Sequence, residues 1–179
     1  MAKTKGTAVL QCVKALRSIP ADVVRAKLPP HLHPYLNERI LVSNWYPEED
    51  YLGLVTALSH LLPSTEGDTW EMFGRMAAQH DLTTVYRSTV RQRTLIGMLK
   101  AVRDLFHMYH DTGRIEIHGD ETHAHMDFFD YASISVGHCR FITSYIREQL
   151  RMSLGREIGV RETLCCAAGD DRCRRDFTP

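Results

Sequence analysis

The spacing of apolar residues changes at Asp111–Gly113, and this change limits the folds that are open to the chain. Before it, apolar residues recur at helical spacing over Leu95–Tyr109 and predict a strong amphipathic helix. After it, Arg114–His118 and Thr122–Phe129 alternate apolar and polar residues around a Gly119–Asp120 turn signal, which is typical of a β-hairpin. The chain therefore combines helices with antiparallel strands.

The remaining C-terminal segment repeats this alternation of helix and hairpin. We predict a helix over Val136–Leu154 that ends near Gly155, and a second hairpin over Gly159–Ala167 and Arg172–Phe177. Helices followed by hairpin, helix and hairpin predict an α+β fold, with an antiparallel sheet and helices packed on one face. We expect a single domain over 1–179, with a mainly helical part at 1–112 and a hairpin–helix–hairpin part at 113–179.

The helical part is less uniform in its signals. The pattern at Thr7–Leu16 leaves a strand and a helix equally open. Pro20 is expected to begin a short helix that ends before Pro29–Pro30. Trp45–Pro47 is read as a turn into the next helix, and Asp68 or Thr69 is expected to cap the one after it.

Charge and hydropathy exclude several classes of function. The formal net charge is zero, so nucleic acid is not an expected partner. We find neither a run of about 18 apolar residues nor a secretory signal, so we predict a cytoplasmic protein without a membrane span. In that compartment the five cysteines are expected to be thiols or metal ligands rather than disulfides.

Four of the cysteines fall between positions 139 and 173. A hairpin can bring Glu162, Cys165 and Cys173 together, and the preceding helix can add Cys139. Three thiolates and a carboxylate suit zinc in a tetrahedral, structural site. Nearby cations would offset the excess negative charge of such a site, and four arginines are candidates for that role. These are Arg161, Arg172, Arg174 and Arg175.

The same segment resembles the 4-vinyl-reductase-like domain, which also occurs in the sensor modules of aromatic-responsive transcription activators. The matching stretch is SISVGHCRFITSYIREQL followed by VRETLCCAAGDDRCRRDF, within residues 133–177. Cys139, Glu162, Cys165 and Cys173 match the zinc-binding members position for position, so the resemblance also implies a structural zinc ion at these four residues. Thr143 and Val160 stand where the phenol-sensing members would place aromatic residues, so phenol sensing is not carried over.

More weakly, the whole chain is similar to a family of uncharacterised myxobacterial paralogues, through the motifs KGTAV, NWYP and GRMAAQHDLTTVYR. The wider superfamily includes haem-NO-binding domains and vesicle-tethering subunits. It implies an α+β fold, a ligand cavity and a homodimer. Its haem-binding members use a Tyr-x-Ser-x-Arg motif, which this sequence lacks. We therefore do not expect a haem or gas sensor.

Several of the cysteines, histidines and acidic residues have alternative interpretations. Cys139 shares a helix face with apolar residues and could be ordinary core, as could Cys12 and Cys166. Among the ten histidines, His123 and His125 would share one strand face and could hold a second metal ion. His107 with His110 could do likewise, and His138 could replace Glu162. Asp127, Asp130 and Glu116 are interpreted as solvated faces or caps.

The sequence carries no catalytic constellation, so an enzyme, such as a reductase of a tetrapyrrole vinyl group, is not expected. The favoured function is a ligand-sensing module with a structural zinc. Its ligand would be small and apolar or aromatic, and five aromatic residues would line the pocket. These are Trp70, Phe73, Phe106, Tyr109 and Phe141. The alternative is a dimeric interaction scaffold without a small-molecule ligand.

Overall fold

The structure is a computed structural model of the chain. It describes residues 1–62, 68–84, 86–87, 92–131 and 135–179. The chain forms two compact units, of which unit 1 is Met1–Thr65 with His107–Thr112, and unit 2 is Glu66–Phe106 with Gly113–Pro179. The predicted division into 1–112 and 113–179 stays a prediction, and the two units cut the chain at other places.

Unit 1 is mainly helical. Val9, Val13 and Leu16 are fully buried at helical spacing, which is why the ambiguous first segment forms a helix. Trp45–Pro47 is a strand rather than the predicted turn, because its backbone pairs with Lys3–Lys5. The elements are β1 Lys3–Lys5, α1 Gly6–Arg17, α2 Ala21–Lys27, a 3₁₀ helix Pro30–Leu36, β2 Trp45–Pro47 and α3 Glu48–Leu61.

Unit 2 contains a four-stranded antiparallel sheet in the order β3-β4-β6-β5. The last three residues of α5 belong to unit 1. The elements are α4 Thr69–Thr83, α5 Leu95–Tyr109, β3 Arg114–Gly119, β4 Ala124–Phe129, α6 Val136–Leu154, β5 Gly159–Leu164 and β6 Cys173–Thr178. The mixed helix and antiparallel-sheet class predicted from the sequence is confirmed.

The core of unit 2 lies between the sheet and the apolar faces of α5 and α6. On β4, Ala124, Met126 and Phe128 alternate into this core, as the period of a strand requires. Met98 and Leu99 of α5 are fully buried in the same cluster. The expectation that helices pack on one face of the sheet is therefore confirmed for this unit.

Local signals set the ends of the helices. α6 runs over Val136–Leu154 as predicted, and Gly155 ends it in the left-handed region at φ 69°. Asp68 caps α4 by accepting the backbone N–H groups of Trp70 and Glu71. Among the residues that the structure describes, no helix is both long and apolar enough to cross a membrane.

Helices α4 and α6 cross at close range. A Cβ placed on Gly74 of α4 would lie 2.2 Å from the backbone oxygen of Phe141 and 2.9 Å from the backbone nitrogen of Tyr145. Ser144 reinforces the crossing, because its hydroxyl donates to the backbone oxygen of Glu71 at 2.7 Å. The absence of a side chain at position 74 therefore sets the distance between the helices.

We predict that Gly74→Ala destabilises the protein. Alanine gains about 1 kcal/mol of helix propensity, but the helices must separate to admit the methyl group. The net loss in free energy of unfolding should be about 1–3 kcal/mol, measured by urea denaturation. Met76→Ala is the control, because Met76 lies exposed on the same helix. A Gly74→Ala protein more stable than the wild type would contradict the close crossing.

Candidate functional site

The structure brings together the four residues that the sequence singled out. Cys139 comes from α6, Glu162 from β5, Cys165 from the end of that strand and Cys173 from the start of β6. One ligand atom from each lies within 4.8 Å of the others. The predicted juxtaposition is therefore present, while metal binding by these residues stays a prediction.

A register shift and a 3₁₀ turn in the second hairpin orient these side chains toward one another. The pairing of β5 with β6 shifts register between Glu162 and Leu164. A 3₁₀ turn over Cys166–Ala168 then turns the chain, and Gly169 at φ 104° completes it. The shift and the turn together place Cys165 over the beginning of β6, where Cys173 pairs with Phe128 of β4.

The sulfur atoms are close but not bonded. The Sγ atoms of Cys139 and Cys165 are 3.3 Å apart, and those of Cys139 and Cys173 are 3.9 Å apart. All five cysteines are free thiols. Cys166 is half-buried, and its backbone N–H donates to the Cys173 sulfur at 3.3 Å. Its backbone thus serves the cluster, whereas Cys12, expected in the core, is buried in unit 1.

Burial and hydrogen bonding separate the acidities of these thiols. The hydrogen bond from Cys139, the N–H of Cys166 and the charge of Arg175 lower the pKa of Cys173 to about 6. The same hydrogen bond, together with burial, raises the pKa of Cys139. The cluster therefore favours one thiolate, at Cys173, held by a protonated neighbour. Burial alone raises the pKa of Cys12 to about 12.

A fully buried guanidinium joins the elements of the site. Nε of Arg175 donates to the Thr143 hydroxyl at 2.9 Å. Its Nη2 donates to the backbone oxygen of Cys139 at 3.2 Å and to Glu162 at 3.3 Å. The guanidinium also lies over the Phe128 ring, 4.7 Å from the centroid. Arg175 thus links β6 to α6, β5 and β4 at once.

The other predicted counter-charges do not all serve the cysteines. Arg174 donates to both oxygens of Asp127, at 2.7 and 2.6 Å, and Arg172 lies 3.4 Å from the same carboxylate. Asp127 is 3% exposed, so its interpretation as a solvated residue is wrong. Burial works to raise its pKa, but the hydrogen bonds from Arg174 outweigh burial and lower the pKa of Asp127.

The histidines pair differently from the alternatives raised by the sequence. His123 lies exposed in the turn, and the residue opposite His125 is His118 of the adjacent strand. The two rings are stacked at 4.9 Å. In unit 1, Nδ1 of His110 lies 3.1 Å from Glu48. Glu162, rather than His138, completes the cysteine cluster in the described part of the chain.

The five aromatic residues predicted to line a pocket lie in different surroundings. Phe106 and Phe141 pack in or against the core of unit 2, and Trp70 lies against the first turn of α6. Phe73 is buried in α4, whereas Tyr109 falls in unit 1. A shared ligand pocket stays a prediction.

Comparison with known proteins places the chain in a family. The model of the haem-NO-binding family matches residues 23–118, which is more than half of the chain. The chain therefore belongs to the haem-NO-binding family. No curated protein matches it. The resemblance to the vinyl-reductase branch and to the myxobacterial paralogues is not confirmed, whereas the wider haem-NO-binding relationship is.

Solved structures of H-NOX proteins share the fold over nearly the whole chain. The unliganded Fe(II) H-NOX protein from K. algicida has a TM-score of 0.68 at 9% identity, covering 97% of this chain and 95% of that one. The S. oneidensis H-NOX protein in the Fe(II)NO state gives 0.66 at 13%, covering 97% of each chain. A point mutant of the T. tengcongensis H-NOX protein gives 0.66 at 17%, covering 97% and 96%.

The prediction of a structural zinc ion as the cofactor is wrong. The matching family is described as haem-NO-binding, and structures that share the fold are those of haem proteins. The spacing of the cysteines suggested zinc because tetrahedral sites rich in thiolates favour that ion. The spacing of a few residues carries no information about the prosthetic group that a protein family binds.

The segment that leads into α6 bears on whether this chain could hold a haem. A guanidinium is the bidentate partner of a carboxylate such as a haem propionate. Tyr131 and Ser133 occupy the first two places of the Tyr-x-Ser-x-Arg motif, but Ser135 stands in the third. The Ser135 hydroxyl caps α6 by accepting the N–H of His138 at 3.1 Å. A serine in this position supplies no charge to a propionate.

The aromatic packing around Tyr131 points the same way. Phe106 of α5 meets the Tyr131 ring edge to face at 5.3 Å, so the first residue of the partial motif is packed against another aromatic side chain. The His138 imidazole lies between the rings of Tyr131 and Phe141, at 5.7 and 5.9 Å. These residues do not fit a haem.

Sequence reasoning missed three features of the site. Arg175 was placed among four equivalent arginines, although its alternation with Cys173 along one strand could have singled it out. The partial motif at Tyr131 and Ser133 was readable by allowing one mismatch. The burial of Asp127 had no local signal, because it depends on arginines from a strand far along the chain.

We predict that Arg175→Lys lowers the free energy of unfolding by about 1–3 kcal/mol. Lysine keeps the positive charge, but one ammonium cannot reproduce the fork that reaches Thr143, Cys139 and Glu162. Urea denaturation measures the loss. Arg161→Lys on the neighbouring strand is the control, since Arg161 is exposed and should change stability by less than about 0.5 kcal/mol. Equal effects of the two substitutions would refute the linking role of Arg175.

Proposed function

We propose that this chain is a non-catalytic sensory module of the haem-NO-binding family whose responsive element is the cysteine cluster. The observation that carries the proposal is the approach of three free sulfurs, from α6, the end of β5 and the start of β6, at 3.3 and 3.9 Å. Such sulfurs can exchange two protons and two electrons for a covalent bond with little movement of the backbone.

The family relationship supports the sensory part of this proposal. The structural relatives are H-NOX proteins, and one is an oxygen-binding H-NOX domain related to soluble guanylate cyclases. Domains of this kind bind a small ligand and report it, which needs no catalytic residues. The fold of this chain spans 97% or more of its length in common with those proteins. Ser135 stands where the Tyr-x-Ser-x-Arg motif has its arginine, and for this reason we assign the response to the cysteine cluster.

The cluster offers a defined chemical response to a peroxide. Cys165 is half-buried, whereas Cys139 beside it is fully buried. Hydrogen peroxide reaches the Cys165 thiol first, because the Cys173 thiolate is buried, and would oxidise Cys165 to a sulfenic acid with release of one water. The Cys139 sulfur would then attack the sulfenic sulfur, forming the disulfide and releasing a second water. The sulfurs need to close from 3.3 Å to about 2.05 Å for this bond.

The surroundings favour a response that reaches the rest of the unit. A disulfide between Cys139 and Cys165 would tie the end of β5 to α6. Cys139 also carries the backbone oxygen that accepts from Arg175, and it shares a hydrogen bond with Cys173. Oxidation removes that hydrogen bond and so changes the environment of the buried guanidinium. A local bond is thereby coupled to β6.

Several finer expectations stay predictions. These are the homodimer, the small apolar or aromatic ligand, the cytoplasmic location, and metal ligation by Cys139, Glu162, Cys165 and Cys173. The interaction-scaffold alternative likewise stays a prediction, because no feature of the described residues favours it over a sensory role.

We predict that one equivalent of hydrogen peroxide converts the reduced protein to a single intramolecular disulfide between Cys139 and Cys165. Intact-mass spectrometry should show the loss of two hydrogen atoms, and peptide mapping should locate the bond. Cys139→Ser should abolish it, and Cys12→Ser should leave it unchanged, because Cys12 lies in the other unit. Oxidation to sulfinic acid without a disulfide would refute the proposed response.

We also predict that the purified protein forms no stoichiometric haem complex. Haemin added to the reduced chain should give no Soret band beyond that of free and nonspecifically bound haemin, because Ser135 replaces the arginine that would pair with a propionate. Absorption spectroscopy against a matched protein-free blank measures this. A saturable Soret band at one haem per chain would restore haem sensing as the function of the chain.

A further inference from the structure

The outer face of the sheet in unit 2 carries a second cluster, separate from the cysteines. His118 of β3 and His125 of β4 are direct partners in the antiparallel register. Their rings stack with centroids 4.9 Å apart and an interplanar angle of 26°. Asp127 lies two residues along β4 and therefore on the same face. One ligand atom from each of the three residues lies within 4.8 Å of the others.

We propose that His118, His125 and Asp127 form a binding site for a divalent transition-metal ion that prefers imidazole, such as Ni²⁺ or Cu²⁺. Two imidazoles and a carboxylate are ligands suited to these ions. Neighbouring ligand atoms at right angles around one such ion lie about 2.9 Å apart when each bond is about 2.0–2.1 Å long. The two side chains on neighbouring strands need only rotate to close that gap. Water completes the coordination, because the side chain of His118 is half-exposed.

The strand pairing supplies the preorganisation that such a site needs. Residues directly opposite on antiparallel strands hold their Cβ atoms about 4.5–5.5 Å apart, so two imidazoles start within reach of a shared ion. Beside His118, Glu116 places Oε2 3.5 Å from Nε2. A carboxylate next to a ligating imidazole orients the ring and raises its basicity. Glu116 itself also pairs with Arg114.

The arginines that pair with Asp127 are the main positive charges that would repel a metal ion at this site. Arg174 donates to both of its oxygens, and Arg172 lies 3.4 Å away, so a cation approaches a carboxylate that is already neutralised. Each carboxylate oxygen carries two lone pairs, which lets Oδ2 accept from Arg174 and still face a metal. In the structure Oδ2 is the oxygen nearer the imidazole, 3.9 Å from Nε2 of His125. The two imidazoles therefore provide most of the affinity for the metal ion, and Asp127 contributes one further, weaker ligand atom.

The test is calorimetric titration of the untagged, reduced protein with NiCl₂ at neutral pH. We expect one site per chain that is weakened about tenfold or more by His118→Ala and by His125→Ala, since even the loss of a partner outside the ligand shell costs about that much. His123→Ala is the matched control, because His123 lies exposed in the same hairpin outside the cluster. It should bind nickel like the wild type.

A second measurement separates this site from the cysteines. Cys165→Ser removes one sulfur and should leave the histidine site unchanged. Anomalous diffraction at the nickel edge from crystals soaked in NiCl₂ should show a peak between His118 and His125. A peak only at the cysteines, or equal nickel affinity in the His118→Ala and wild-type proteins, would overturn the proposal.

Discussion

A guanidinium that is taken out of water costs several kcal/mol unless it finds hydrogen-bond partners, and Arg175 is fully buried. Hydrogen bonds from its Nε and Nη2 to Thr143, Cys139 and Glu162 offset that cost. Its planar face also makes a cation–π contact with the ring of Phe128. Nη1 has no partner among the described residues, so the arrangement is held by the other contacts. This one side chain therefore joins α6 to the strands that carry Glu162 and Cys173.

Strand β6 shows how one short segment can serve two sites. Cys173, Arg175 and Phe177 point into the core, whereas Arg174 and Asp176 point to the outer face. The inward set builds the cysteine cluster together with α6. On the outward side, Arg174 holds Asp127 beside the stacked histidines. Neighbouring arginines thus have unrelated partners, because the pleat separates them and not because their chemistry differs.

Family membership and site chemistry give different information about this protein. The haem-NO-binding match and the shared H-NOX fold define how the chain is built. Ser135 caps a helix at the place where the Tyr-x-Ser-x-Arg motif has its arginine, so this position supplies no charge to a haem propionate. A fold tolerates such differences because its stability rests on the core and on caps, while a prosthetic group rests on a few particular side chains. The cysteine cluster, by contrast, is assembled from three elements of this chain.

Local patterns in the sequence determined most of the elements of this protein. The limits of α6, the cap at Asp68, the two hairpins and the closeness of Glu162, Cys165 and Cys173 follow from periodicity, turn residues and the closure of a short hairpin. The packing of α6 on the sheet then adds Cys139. Only the tertiary structure decided that Trp45–Pro47 pairs as a strand, that Asp127 is buried by Arg174, and that His125 faces His118. The physical reason is range: periodicity acts between residues a few positions apart, whereas pairing between strands depends on backbone partners that no local pattern specifies.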